Sequence, residues 1–329
     1  MPVIDAGCLE EMLDALRDLG PQAGLEKFAA SLDPEWIDEA LRATKTASVR
    51  NRKLPADRVV WLVLGMALLA DRSIKDVVDH LDLVIKGSKR LAPSAITQAR
   101  YRVGRAPIRW LFDKVASAWS ETPGLGNYRE LSLYGLDGSH LRVPDSDENF
   151  KHFGKPGGRN GAGDAGYPQL RVVALMNLSN RLLAGAEASP WAESEHALAK
   201  KLWALIPDNS LTIVDRGFMN YLSFLELVAD GENRHFMIRA KSNTAFDVVE
   251  ELSDGSALAL LHPNTFLLHY QPDVPGPIEV RVIEYQHEGG EPGRLIVSLT
   301  DAEKYPAAEL IELYHDRWEL EIGFDELKT

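Results

Sequence analysis

The chain has 329 residues, 45% of them hydrophobic, enough to build two domains or one large one. Its single cysteine, Cys8, excludes an internal disulfide framework and a thiolate metal cage, and fits a reducing cytoplasm. A formal net charge of -13 argues, taken whole, against a polyanionic partner.

The charge is unevenly placed. Residues 1–40 hold 2 basic and 10 acidic residues, residues 41–136 hold 17 and 8, and residues 137–329 hold 17 and 31. Between Asp82 and Asp113 there is no acid, yet Lys86, Lys89, Arg90, Arg100, Arg102, Arg105 and Arg109 all fall there. A basic segment inside an acidic chain is a candidate phosphate-binding surface, although a charge run by itself is more often a solvated face.

In chain order, residues 1–130 read as helical, with helices over about 8–19, 34–43, 56–70, 73–85, 93–104 and 106–120. Asp33 before Pro34, Ser73 before IKDVVDHL, and Pro93 and Pro107 are start signals. No basic segment followed by an apolar core opens the chain, so a secretory signal is not expected. VVWLVLGMALLA at 59–70 is too short to span a bilayer and reads as a buried helix; no membrane partner is expected. SIKDVVDHLDLV, a turn around Gly87 and PSAITQARYRVG together form a loose helix-turn-helix pattern. Its second helix presents Thr97, Gln98, Arg100, Tyr101 and Arg102, residue types that reach phosphates and base edges.

Near residue 130 the pattern changes. LSLYGLD at 131–137, LRVVALMNL at 170–178 and LLAGAEA at 182–188 read as strands. A helix over 193–206, a short buried strand at 211–215, a helix from Asn220 and a strand at 235–241 follow. Residues 245–300 are short strand-like pieces broken by Pro and Gly, and a helix runs from about 306 to the end. Three strands, then helix, strand, helix, strand, is the order of a ribonuclease H-like α/β domain carrying a β-rich insertion.

On the closing helix, Tyr314, Arg317, Glu321 and Lys328 fall within one arc of about 60° at 100° per residue. Leu313, Leu320, Phe324 and Leu327 flank that arc on one side, and Ile311, Trp318 and Ile322 on the other. Charge between apolar stripes is expected to be partly buried and in need of partners. A plain Arg317–Glu321 pair contributes only about 0.2–0.5 kcal/mol and does not explain why Tyr314 and Lys328 share the stripe.

Asp137 and Asp215 each follow an apolar strand and lie one or two residues before a glycine, where ligands bind in open α/β sheets. Singly, each is an ordinary turn former. With Glu321 they offer three hard oxygen donors on different elements, the set that phosphoryl transfer with two divalent ions requires. The glycine-rich stretch at 153–171, with Lys151, Lys155, Arg159 and Arg171 in or beside it, is either a flexible connection or a clamp on phosphates near Asp137. Glu193, Glu195 and His196 open a helix and read as capping residues rather than a metal cluster, and His140 reads as the end of a strand.

DGS at 137–139, DRGF at 215–218 and Y-x2-R-x3-E-x6-K at 314–328 resemble the bacterial DDE transposases of the insertion-sequence-four family, and residues 50–74 resemble that family's N-terminal domain. The resemblance implies a helical DNA-binding domain over 1–130 and a ribonuclease H-like catalytic domain over 131–329, with a β-rich insertion at 243–302. It implies cut-and-paste cleavage and strand transfer at the ends of an insertion sequence. Asp137, Asp215 and Glu321 are then catalytic and hold two Mg²⁺ ions, with Mn²⁺ as a substitute. Tyr314, Arg317 and Lys328 contact phosphates at the element end. Lys89, Arg90, Arg100, Arg102, Arg105, Lys155 and Arg159 are further expected DNA contacts, and the partners are terminal inverted repeats, target DNA and a second protomer on paired ends. Relatives usually continue beyond Lys328, so a truncated C-terminus is expected. The alternatives are a ribonuclease H-like nuclease without strand transfer and a truncated DNA-binding inhibitor of the intact enzyme. The hairpin route of some relatives uses an aromatic side chain in the insertion, and none lies between Tyr285 and Tyr305.

Overall fold

The computed structural model describes residues 28, 30–48, 53–81, 83, 92–120, 127–156, 166–229, 231–286 and 292–328. The chain divides into two compact units, Met1–Pro123 and Gly124–Thr329.

The helices of the first unit include α1 (Pro34–Ala43), α2 (Ala56–Leu68), α3 (Ile74–His80), α4 (Pro93–Val103) and α5 (Ala106–Ser120). Their starts follow the local signals. Asp33 accepts the Glu35 N–H at 2.9 Å ahead of Pro34, and Ser73 accepts the Asp76 N–H at 3.2 Å. The apolar run at 59–70 supplies Val59, Val60 and Leu62 to a core shared with Val77, Val78, Ile96, Val103 and Leu111. Gly65 permits close approach within that core, since a Cβ there would stand 2.5 Å from Leu81 Cδ1. Helix α3 stops at His80 rather than running to 85, because Leu81 leaves the helix with its N–H still bonded to Val77 O. The helix expected over 8–19 and the turn around Gly87 lie outside the described residues.

The second unit is one mixed sheet of nine strands in the order β3-β2-β1-β4-β5-β9-β8-β7-β6. The strands are β1 (Ser132–Arg142), β2 (Gln169–Asn177), β3 (Leu182–Pro190), β4 (Ser210–Val214), β5 (Arg234–Arg239), β6 (Asp247–Glu251), β7 (Ala257–Leu261), β8 (Ile278–Tyr285) and β9 (Gly293–Val297). The β1–β4 and β4–β5 pairs are parallel, and the remaining pairs are antiparallel. Its helices are α6 (Asp147–Phe153), α7 (Glu195–Leu202), α8 (Tyr221–Ala229), α9 (Thr265–Tyr270), α10 (Ala307–Asp316) and α11 (Trp318–Lys328). All five residues of β4, SLTIV, are buried, as a central strand covered on both faces demands. One face packs Tyr134, Leu136 and Val214 against α7 and α8; the other packs Leu133, Leu211 and Ile213 against Leu310, Tyr314 and Phe324.

Four details depart from the sequence expectations. Strand β1 does not end at Asp137 but continues to Arg142, held by β2 as far as the Arg142–Gln169 pair. The polar run after it forms helix α6: Ser146 accepts the Asn149 N–H at 3.2 Å, and Asp147 and Glu148 occupy the first turn. The broken stretch at 245–300 is not a set of loose pieces. It gives four strands and α9, and β9 pairs with β5, so the insertion extends the same sheet. The closing helix is interrupted at Arg317, whose φ of -56° and ψ of -28° stay helical while the hydrogen-bond ladder breaks.

The insertion is fastened to α10 by a buried arginine. Arg281, fully buried, donates to Ser256 Oγ at 2.7 Å and to Tyr305 O at 2.6 Å, and pairs with Asp254. Asp254 also accepts the Ala307 N–H at 2.9 Å, serving as the cap that α10 does not have from its own Pro306.

Candidate active site

Register alone brings the two aspartates together. Strands β1 and β4 run parallel, and their last pair is Leu136–Val214. The next residue on each is an aspartate, so Asp137 and Asp215 stand side by side where the pairing ends, with neighbouring strands about 4.8 Å apart. Alternation along β1 puts Asp137 on the face of Leu133, the face that α10 and α11 cover. Asp137 Oδ1 accepts its neighbour Gly138's N–H at 2.8 Å, and Asp215 Oδ2 accepts the Gly217 N–H at 3.0 Å in a tight turn. Glu321 comes from α11, one turn past Arg317.

These three carboxylates meet at one guanidinium. Arg317 Nη1 lies 2.8 Å from Glu321 Oε1 and 3.2 Å from Asp137 Oδ2, and Nη2 lies 3.8 Å from Asp215 Oδ1. Arg317 is 4% exposed, and its Nε is buried with no hydrogen-bond partner. The Tyr314 and Trp318 rings flank the guanidinium carbon, with centroids 5.7 and 6.0 Å away. Burial pushes the Asp137 carboxyl up to about 6, with Asp215 and Glu321 adding to the rise and Gly138 N–H and Arg317 opposing it. Burial works against the Arg317 charge, but Tyr314 and the three carboxylates outweigh it and raise its pKa. Burial carries the Tyr314 phenol to about 12, so it remains a neutral donor.

The apolar flanks expected around this stripe are unequally buried. Phe324 is buried and Leu313 and Ile311 both pack against its cluster, but Trp318 and Ile322 are exposed at 53% and 51%. The side chains of Leu320, Leu327 and Lys328 lie outside the described residues.

The other expected contacts are dispersed. Lys86, Lys89, Arg90 and Arg159 lie outside the described residues. Arg100, Arg105 and Arg109, with Thr97 and Tyr101, border a cavity of about 700 Å³ between α4 and α5; Arg109 also pairs with Asp113 at 2.9 Å. Arg102 donates to Leu54 O at 3.3 Å. Lys155 is engaged inside its own unit, 3.3 Å from Asp145 and over the Phe150 ring. Arg171 stacks on Trp191 and donates to His140 Nε2 at 3.1 Å, which makes His140 a mid-strand acceptor rather than a strand end. Ser194 caps α7, Glu195 sits in its first turn and Glu193 pairs with Lys201.

A second cavity, about 670 Å³, is bordered by Arg216, Arg239, Arg294 and Tyr285. Arg239 ends β5, the strand expected at 235–241. Arg216 stands directly after Asp215 and carries the signal that its neighbour does; Tyr285 and Arg294 had none.

The donor set suits a hard divalent cation: three carboxylates from three elements already surround one positive charge. Among the described residues no group of three or more histidine, cysteine, aspartate or glutamate side chains is already arranged to hold a metal ion.

The "Insertion element 4 transposase N-terminal" family matches residues 22–113, and the "Transposase DDE domain" family matches residues 130–329. The chain is 32% identical over 298 residues to transposase InsG for insertion sequence element IS4 of Escherichia coli (strain K12), covering 90% of this chain and 67% of InsG. It is 37% identical over 247 residues to putative transposase InsZ of the same organism, covering 74% of this chain and 81% of InsZ. A piggyBac transposase synaptic complex with hairpin DNA is more distant, with 10% identity and a TM-score of 0.39 over 89% of this chain and 58% of that one. The family matches and the two relatives place the chain in the IS4 family of DDE transposases, polynucleotidyl transferases of DNA transposition.

Proposed function

We propose that the chain cuts DNA at the ends of an insertion sequence and joins them to a target, with Asp137, Asp215 and Glu321 as catalytic carboxylates and metal holders. The convergence of these three side chains on one cation carries the reading. Two divalent ions, Mg²⁺ with Mn²⁺ as a substitute, would supply activation of the attacking oxygen and stabilisation of the leaving one. The protein's part is placement. Parallel register sets Asp137 and Asp215 side by side, and α11 brings Glu321 across them. Tyr314, a neutral donor, and Arg317 and Lys328, two cations, are chemically suited to hold a scissile strand's phosphates.

The order β3-β2-β1-β4-β5, antiparallel then parallel, supports a ribonuclease H-like core over 131–329, with residues 243–302 as its β-rich insertion. The helical unit, residues 1–130, reads terminal inverted repeats in double-stranded DNA. Arg100, Arg102 and Arg105 serve as its basic face, and Lys89, Arg90, Lys155 and Arg159 are the further DNA contacts expected from the sequence. A homodimer on paired ends in the cytoplasm completes the reading. Among the described residues no helix is long and apolar enough to cross a membrane.

The test uses a duplex carrying an element end. Glu321→Ala should abolish Mg²⁺-dependent cleavage while leaving retention of the duplex within about twofold. Normal cutting by that variant would remove Glu321 from the site. A cleaved but never joined product would leave a nuclease.

A further inference from the structure

We propose that Arg317 is a displaceable internal counter-cation: it holds the three carboxylates together until a divalent ion takes its place, and the guanidinium is then released to the DNA. The inference rests on the reading of Asp137, Asp215 and Glu321 as the ion-holding set, and goes beyond it by giving Arg317 two positions.

Three features of the site carry it. First, the guanidinium is badly matched to its acceptors. One nitrogen is shared by Asp137 and Glu321, the second reaches Asp215 only at 3.8 Å, and Nε is buried with no partner. The structural arginine Arg281 has a separate acceptor for Nε, Nη1 and Nη2; this one is held as a point charge. Second, among the described side chains Arg317 is the one cation in contact with all three carboxylates, one positive charge against three acids. A divalent ion bound by the same oxygens compensates them more fully and, as a like charge, repels the guanidinium from close range. Third, the arginine is at a joint. The hydrogen-bond ladder breaks at Arg317 between α10 and α11, and the adjoining Trp318 ring is half exposed. The side chain therefore has aromatic surface to move along toward solvent, where DNA phosphates would receive it.

Arg317 and the ion then compete for the same oxygens in the absence of DNA, and phosphates favour the ion by capturing the arginine. The metal-free protein keeps its acids gathered by an internal cation, and ion binding makes a phosphate-binding group available at the moment the site becomes competent.

The first experiment needs no variant. Wild-type protein is treated with phenylglyoxal in EDTA and in saturating Mn²⁺, and labelling of Arg317 is read by peptide mass spectrometry. Labelling should rise at least fivefold in Mn²⁺; equal protection in both conditions would overturn the displacement. The second experiment measures Mn²⁺ affinity by calorimetry without DNA. Arg317→Gln should bind Mn²⁺ at least tenfold more tightly than wild type, whereas an arginine that only contacts DNA leaves this affinity unchanged or weakened. If Arg317→Gln folds only with Mn²⁺ present, the ion is replacing the guanidinium, as expected. If it does not fold at all, the labelling result decides. Asp215→Asn separates this idea from the reading beneath it. If that variant binds Mn²⁺ as wild type does, the carboxylates are not the ion site. If it binds weakly while Arg317 in wild type stays protected, the site stands and the displacement fails.

Discussion

Among the described residues two arginines are buried, and their surroundings differ in kind. Arg281, 0% exposed, has an acceptor suited to each nitrogen: Ser256 Oγ for Nε, Tyr305 O for Nη1 and Asp254 for Nη2. Arg317, 4% exposed, has three carboxylates, one nitrogen shared between two of them and one nitrogen with none. At Arg281 burial prevails and lowers the pKa, with Asp254 opposing. At Arg317 burial is outweighed by Tyr314 and the acids, and the pKa rises. A structural charge is matched one to one and fixed by neutral groups. A charge surrounded by surplus acid marks a place built to take more positive charge.

That contrast is breakable at both ends. The largest effect is expected on activity. Under the proposed chemistry, Asp215→Asn should lower cleavage of an end-bearing duplex by three to four orders of magnitude, roughly 4–5 kcal/mol of barrier. Adding Asp137→Asn should cost little more, because the carboxylates act as a unit. Multiplying losses in a single-turnover assay would deny that they share one task.

Next in size is the structural site. Asp254→Ala strands Arg281 without its counter-charge and uncaps α10, and should cost about 3–5 kcal/mol in urea unfolding. A loss under about 1 kcal/mol would mean that water or another acid reaches Arg281. The same unfolding experiment on Asp215→Asn should give a change of no more than about 1 kcal/mol. Asp215 is 40% exposed, and Arg317 keeps two other carboxylates. Equal losses from Asp254→Ala and Asp215→Asn would erase the distinction between the two arginines.

The smallest effect is a pH dependence at the surface. Hydrogen bonds from Lys304 and Tyr305 hold the Glu130 carboxyl down to about 2 from an ordinary 4.5. A lowered folded-state pKa means the stabilisation is whole above pH 4.5 and fades as pH falls toward about 2. Wild type and Glu130→Gln should therefore converge in unfolding midpoint across that window, and a constant gap would show that Glu130 acts by packing instead.

Much of the catalytic unit was legible in the sequence because its signals are local. LTIVD is short, apolar and β-branched, so its burial and the position of Asp215 at its end follow from composition. Tyr314, Arg317 and Glu321 share a helix face by spacing. Helix α6 was missed because Asp147 and Glu148 look like a solvated run, while their place in a first turn depends on the Ser146 cap. Lys155 looked available to DNA because Asp145 and Phe150, which engage it, come near only when α6 forms.

What the sequence by itself determined is the family and the two kinds of architecture along the chain, and it singled out the three carboxylates proposed for the site, since residue type and spacing are one-dimensional quantities. Tertiary structure alone decided that the insertion extends the main sheet, that Asp137 and Asp215 sit abreast, and that a buried guanidinium stands among the three acids. Those facts depend on strand register and on which faces pack together. Both are set by long-range pairing and the burial of apolar surface, which no local pattern records.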